Sequence, residues 1–296
     1  MTSSAVGPQT PRNRRKDLSR PRVSKALIHE VSQRITRRDK SICIDSFEHR
    51  FLTTHHAHRL HFTSHARARD RLRKLYNMRV LERFRPQADT GSHPFYYVLD
   101  DIGIAIVAAH RGVDAKELPY DKHKALSLVY SPRLAHMTEV NDFFTVLAHK
   151  SNTSSARLTS WLSERACAAR WKGLVYPDGC GVVKTPEAAL SFFLELDGGT
   201  ESGPRLADKL HGYAQMIGMP DCPSALLFCF PSRERESHAR KSLHDCGITI
   251  ASAVLTDHMG DPHGDNWLPL GATRRVSLME LATHLPNELS TWEERP

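Results

Sequence analysis

The chain changes rhythm several times along its length. Thr36-Arg37-Arg38-Asp39 has the form of a helix start, with Thr36 as N-cap and Asp39 near the positive end of the helix dipole. Ile42, Ile44, Phe47 and Phe51 then give an irregular apolar face. Thr53 or Thr54 caps a second short helix carrying Ala57 and Leu60. Ser64 opens a third, in which Ala68, Leu72, Leu75 and Met78 fall on one face and Arg67, Arg69, Arg71, Arg73 and Lys74 on the other. Two extended runs, 80–85 and 95–99, flank the turn-forming PQADTGSHP and predict a hairpin. The run DIGIAIVAAHR at 101–111 predicts one more helix. Three short helices followed by a hairpin are the outline of a winged helix-turn-helix, expected here over 26–112.

Residues 1–25 carry Pro, Ser and Arg with few apolar positions, which predicts a disordered basic arm. Residues 113–135 are polar and read as a linker. From 136 to 296 the pattern becomes that of an α/β body. Val140, Phe143, Phe144 and Leu147 mark one helix; Leu158, Trp161, Leu162 and Ala166 mark a second beyond the break at 151–155. Extended runs at 173–176, 190–197, 225–230 and 247–255 alternate with helices at 205–217 and 233–246. The fold class is therefore α/β, α+β overall, with a central mixed sheet flanked by helices in the second part.

Composition narrows the function classes. With 40% hydrophobic and 25% charged residues in 296, wholesale disorder and fibrous repeats are excluded. No apolar run reaches the ~18 residues that cross a bilayer, and the first thirty residues lack the apolar core of a secretory signal. A cytoplasmic protein without membrane attachment is expected. The six cysteines include no C-x-x-C pair, so neither a disulfide framework nor a zinc ribbon is encoded. The net charge of +8 is unevenly placed: residues 1–100 hold 21 basic and 9 acidic residues, the remaining 196 hold 20 and 24. A cationic front end on a mildly acidic body points to a polyanionic partner, double-stranded DNA. The contacts are expected from Arg67, Arg69, Arg71, Arg73 and Lys74 on the third helix and from Arg83 and Arg85 on the hairpin; a homodimer fits such a reader.

The candidate chemistry lies in the second part. In FFLELD, period-two alternation puts Phe193, Glu195 and Asp197 on one face of a strand. Two carboxylates on an otherwise apolar strand need a partner, because desolvating charge is costly. Mg²⁺ or Mn²⁺ is one such partner, with Asp178 of Pro177-Asp178-Gly179 as a third oxygen donor, a water activated on the metal and Lys209 stabilising developing charge. Salt bridges of Glu195 and Asp197 to helix residues, with Asp178 capping a turn, are the alternative. Histidines 55, 56, 58, 61 and 65 allow helical zinc pairs or a polar face near phosphate, and HMGDPHGD at 258–265 reads as a surface loop with metal-ligand residue types.

The run PDG…FFLELDGGTES…RLADKLHGY, with RDKSICIDSFEHRFLTTHHAHRLHF and GSHPFYYVLDDIG upstream, resembles the replication-relaxation family of plasmid and mobile-element proteins over about 34–275. The resemblance implies a winged helix and a domain similar to the PD-(D/E)XK nuclease fold. Pro177-Asp178 would be the PD element and Glu195 the acid of the second strand. The lysine position of the motif holds Asp197, which leaves Lys209 as the candidate from the helix. Glu164 resembles an additional acid of some members. A divalent-metal-dependent DNA endonuclease or nickase is the implied activity, and a non-catalytic DNA-binding accessory or regulatory protein is its rival.

Overall fold

The computed structural model describes residues 20–87, 91–199, 202–219, 221–254 and 260–283. Helix α1 (Lys25–Ser32) is capped by Ser24, and α2 (Arg37–Glu48) by a reciprocal box in which Thr36 and Asp39 satisfy each other's backbone N–H. Asp39 is fully buried and also ion-paired with Arg71. Strand β1 (Leu52–Thr53) runs into α3 (Thr54–His61), capped by Thr53, and Ser64 caps α4 (His65–Asn77). Strands β2 (Leu81–Phe84) and β3 (Tyr96–Leu99) form the expected hairpin, with Leu81 opposite Leu99 and Phe84 opposite Tyr96. Strand β1 adds to β3, giving a three-stranded antiparallel sheet in the order β1-β3-β2. Ile42, Phe47, Leu72, Leu75, Leu81 and Leu99 fill the core between these helices and the sheet. Helix α5 (Asp101–Arg111) closes against them and ends at the left-handed Gly112.

The stretch 113–135, expected to be polar connection, packs closely. It contains α6 (Lys122–Ser127), whose Ala125 and Leu126 are buried with Phe51, Phe84, Tyr96 and Val98. Tyr120 donates to the Leu99 carbonyl at 3.1 Å, and Lys122 meets Asp100 at 2.9 Å and Asp101 at 2.6 Å. Arg20, the first described residue, likewise docks on Glu82, Asp100 and the Tyr76 ring; residues 1–19 of the arm lie outside the described residues.

Helix α7 (Leu134–Lys150) leads to a six-stranded mixed sheet made of β4 (Arg157–Ser163), β5 (Gly179–Lys184), β6 (Ala189–Leu196), β7 (Ala225–Phe230), β8 (Thr249–Val254) and β9 (Leu268–Pro269), in that spatial order. Strand β5 is antiparallel to both β4 and β6, strands β6, β7 and β8 are parallel, and β9 is antiparallel to β8. Helix α8 (Glu164–Arg170) follows β4, α9 (Gly203–Ala214) connects β6 to β7, α10 (Arg233–Arg240) connects β7 to β8, and α11 (Glu280–Thr283) follows β9. Helices α8, α9 and α10 cover one face through Cys167, Leu206, Leu210, Tyr213 and Ala239. Helix α7, Trp267 and Leu281 cover the other. With both faces covered, β7 is apolar throughout and buried at every position.

Two further expectations change. Residues 157–163 form a strand where the spacing of Leu158, Trp161 and Leu162 predicted a helix. Leu158 pairs with Val183 and Ser160 with Val182, so Thr159 is an extra residue, and this bulge breaks the alternation a strand would show. Residues 173–176, expected as extended, follow α8 as an irregular turn in which Lys172 and Gly173 take left-handed backbone angles.

Candidate functional site

Glu195 sits at the end of β6, Asp197 just beyond it, and Asp178 one residue before β5. Because Gly179 lies opposite Leu194, Asp178 comes level with Glu195 on the neighbouring strand. The acids therefore gather at the carboxyl edge of the parallel strands, the edge where open α/β sheets place their ligands.

Their oxygens, however, are engaged one by one. Asp178 Oδ1 lies 2.7 Å from His136 Nε2, and Oδ2 accepts the Leu196 N–H at 2.8 Å. Glu195 Oε2 accepts from Lys209 Nζ at 2.7 Å and Oε1 from the Tyr213 hydroxyl at 2.5 Å. Asp197 Oδ1 accepts the Gly199 N–H, and Oδ2 takes the Arg235 guanidinium from α10. All six carboxylate oxygens thus have a hydrogen-bond partner, and each acid has its own basic side chain. Among the described residues no group of three or more His, Cys, Asp or Glu is placed to hold a metal ion. The donor set as it stands does not fit Mg²⁺ or Mn²⁺ without exchange of those partners. The expected three-carboxylate set is replaced by three separate ion pairs.

Burial pushes the Glu195 carboxyl up to about 7; Lys209 pulls it down and neighbouring Asp178 pushes it up further. The bond to Asp178 raises His136 above its ordinary value against the opposing effect of burial. Tyr213, buried against Glu195, is raised well above the usual phenol range. Glu164, the first residue of α8, is bound by Arg133 Nη2 at 3.0 Å, not by a catalytic partner. His136, Tyr213 and Arg235 were not legible as site residues. Tyr213 lies four positions after Lys209, a helical spacing that puts both on the Glu195 side of α9; His136 and Arg235 carry no comparable signal.

On the N-terminal side Arg67, Arg69, Arg73 and Lys74 are exposed along α4. No carboxylate pairs with Arg67, Arg69 or Lys74 among the described residues, while Arg73 reaches Asp70 at 3.5 Å. Arg71 differs: it is committed to buried Asp39 and to the Arg34 carbonyl, so its role is to hold α2 against α4. Arg83 lies over the Tyr76 and Phe95 rings at 4.2 and 4.0 Å, and Arg85 over Phe95 at 3.9 Å. The histidines form no closed set. His56 is buried 3.2 Å from Asp142, His61 pairs with Asp45 at 2.6 Å, and the His55 and His65 rings stand 4.7 Å apart. In the 258–265 segment, His258 and Met259 lie outside the described residues, and His263 is fixed on the Leu147 carbonyl at 3.1 Å. The six cysteines are all free thiols.

A fold of this kind, with a small helical unit in front of a covered mixed sheet whose acids line one edge, defines the class; the family follows from the sequence itself. The replication-relaxation family model matches residues 47–226, more than half of the chain, and the chain belongs to that family. The assignment relates it to the replication of plasmids or other mobile elements. No curated protein and no solved structure matches the chain. No helix among the described residues is long and apolar enough to cross a membrane.

Proposed function

We propose that this is a replication protein of a plasmid or mobile element that binds double-stranded DNA through α2, α3, α4 and the β2–β3 hairpin, used as a winged helix-turn-helix. The observation that carries the reading is the solvent side of α4, where Arg67, Arg69, Arg73 and Lys74 face a single exposed acid, Asp70, and three of the four have no carboxylate partner among the described residues. A solvated helix that only needed solubility would carry the two signs in more even number. The strand order β1-β3-β2 supports it, since it puts β2, which bears Arg83, at the edge of the small sheet and in contact with α4. The test is fluorescence anisotropy of a labelled duplex against salt. Replacing Arg67, Arg69, Arg73 and Lys74 by Ala should lower the slope of log K against log salt by up to about 3.6, at ~0.9 per phosphate contact. An unchanged slope overturns the reading.

One observation favours a second reading, in which the protein is an endonuclease or nickase. Asp178 and Glu195 are level on adjacent strands and Lys209 reaches Glu195 from the following helix, the placement that the resemblance to PD-(D/E)XK nucleases implies. A divalent ion would have to displace Lys209 or His136 to enter. Incubating supercoiled plasmid with Mg²⁺ or Mn²⁺ decides: nicking lost in both Asp178→Ala and Glu195→Ala supports the enzyme, and no nicking with either metal supports the binder. A homodimer is testable by sedimentation of the full chain.

A further inference from the structure

Helix α2 ends on an unusual residue. Arg50 occupies the position after the C-cap at φ 70°, where glycine is the ordinary occupant, and it is exposed. It stands between two adjoining grooves. One has Phe47 and Tyr120 at its floor and Lys124 at its rim; the other runs along Trp161 to His136 and Asp178. Arg165 of α8 lines both grooves as well, lying over the Phe47 ring and donating to the Phe47 carbonyl at 3.0 Å.

The charge on this path is unbalanced. Four carboxylates near the path are already engaged: Glu48 by Arg111, Glu164 by Arg133, Asp178 by His136, and Asp121 by the first backbone N–H groups of α6. No carboxylate pairs with Arg50, Lys124 or Arg165 among the described residues. Burial, relieved in part by Glu48, together with the fields of Arg50 and Arg111, holds the Arg165 guanidinium below its ordinary value. The second groove also holds two buried polar atoms without a hydrogen-bond partner, His49 Nδ1 and Trp161 Nε1, on rings stacked 3.4 Å apart. Cations without a carboxylate partner beside aromatic rings, lining one groove, are what a nucleic-acid backbone meets in proteins that track a strand.

We infer that this double groove carries a DNA strand, whose phosphates meet Lys124, Arg50 and Arg165 in turn and whose path ends at Asp178. The inference rests on the DNA-binding reading but not on α4. The strand would cross the junction between the helical unit and the large sheet, so the two halves of the molecule hold one ligand. A cation kept at a left-handed position follows from this, because the backbone angle aims the side chain into the path.

The test is the double variant Arg50→Gly/Lys124→Gln in the full chain. Glycine relieves the backbone at position 50, and Lys124 is exposed, so the melting temperature should match or exceed that of the wild type. Binding of a labelled single-stranded oligonucleotide should lose about 1.4 in salt slope, at ~0.7 per phosphate, which is about 25-fold in affinity at 0.1 M salt. Unchanged slope and affinity in a folded double variant overturn the groove. The α4 quadruple variant separates the two readings: if it binds duplex as the wild type does while the groove variant is weakened, the α4 reading fails and the groove stands. A wild type that binds neither single nor double strands overturns both.

Discussion

Glu195 is a carboxylate only 3% exposed whose titration is displaced upward to about 7. An acid that binds its proton more tightly folded than unfolded contributes stability that is fully present below its unfolded value, near 4.5, and lost as the pH rises through its folded value. The displacement of two to three pH units corresponds to about 3 kcal/mol, at 1.36 kcal/mol per unit. Glu195→Gln keeps the shape, leaves an amide for Tyr213, and frees Lys209, whose side chain is 31% exposed and can turn to water. At pH 8 the variant should therefore be more stable than the wild type, by up to about 3 kcal/mol, and at pH 4.5 nearly equal to it. In a chain of this size that is roughly 5–10 °C in melting temperature. Urea melts of both proteins at half-unit steps from pH 4.5 to 8.5 give the answer. Parallel stability curves, or a variant weaker than the wild type at pH 8, would refute the reasoning, because they would mean that Lys209 fully compensates the buried charge.

Other outcomes follow from the packing. Asp39→Ala leaves Arg71 and the α2 N-terminus unpaired and should cost about 3–5 kcal/mol, the range for breaking a buried ion pair, as measured by chemical denaturation; the carboxyl is held low by Arg71 and Thr36 against the effect of burial, so this contribution persists above the ordinary Asp value and is lost as the pH falls through the lowered one. Gly103→Ala should destabilise by more than about 2 kcal/mol, the tail reserved for overpacking, since the added carbon would come within 2.2 Å of the Val80 carbonyl oxygen; a melting temperature within 2 °C of wild type, about the shift for 1 kcal/mol in a large domain, would contradict it. His136→Ala should flatten the stability profile above about pH 6.5, because the imidazolium bonded to Asp178 stabilises below its ordinary value and ceases to do so as the pH rises through the raised one.

The helical unit was largely legible because its signals are local. Thr36, Thr53 and Ser64 each cap the helix that follows, and the periodicity of Ala68, Leu72 and Leu75 matches the buried face of α4. The parallel strands were legible as apolar runs. Strand β4 was not, because a bulge erases its period, and the close packing of 113–135 was not, because Tyr120 and Lys122 work through single long-range contacts. The strand position of Glu195 and Asp197 showed that both need partners, with Asp178 as a further donor, but periodicity carries no information on which partner a charge finds. The cations that engage them come from three different helices, at 136, 209 and 235.

Four consecutive residues of α7 serve two masters. Asn141 donates to the carbonyls of His49 and Phe51, Asp142 grips Arg59 and lies beside His56, while Phe143 and Phe144 pack into the large sheet. The interior of the front half is thus finished by a helix that the back half anchors, and expressing residues 20–112 alone would strip two buried carbonyls and a buried imidazole of their partners. Dissection into autonomous modules is built out of this polypeptide: heat or denaturant should dismantle both halves in one concerted transition.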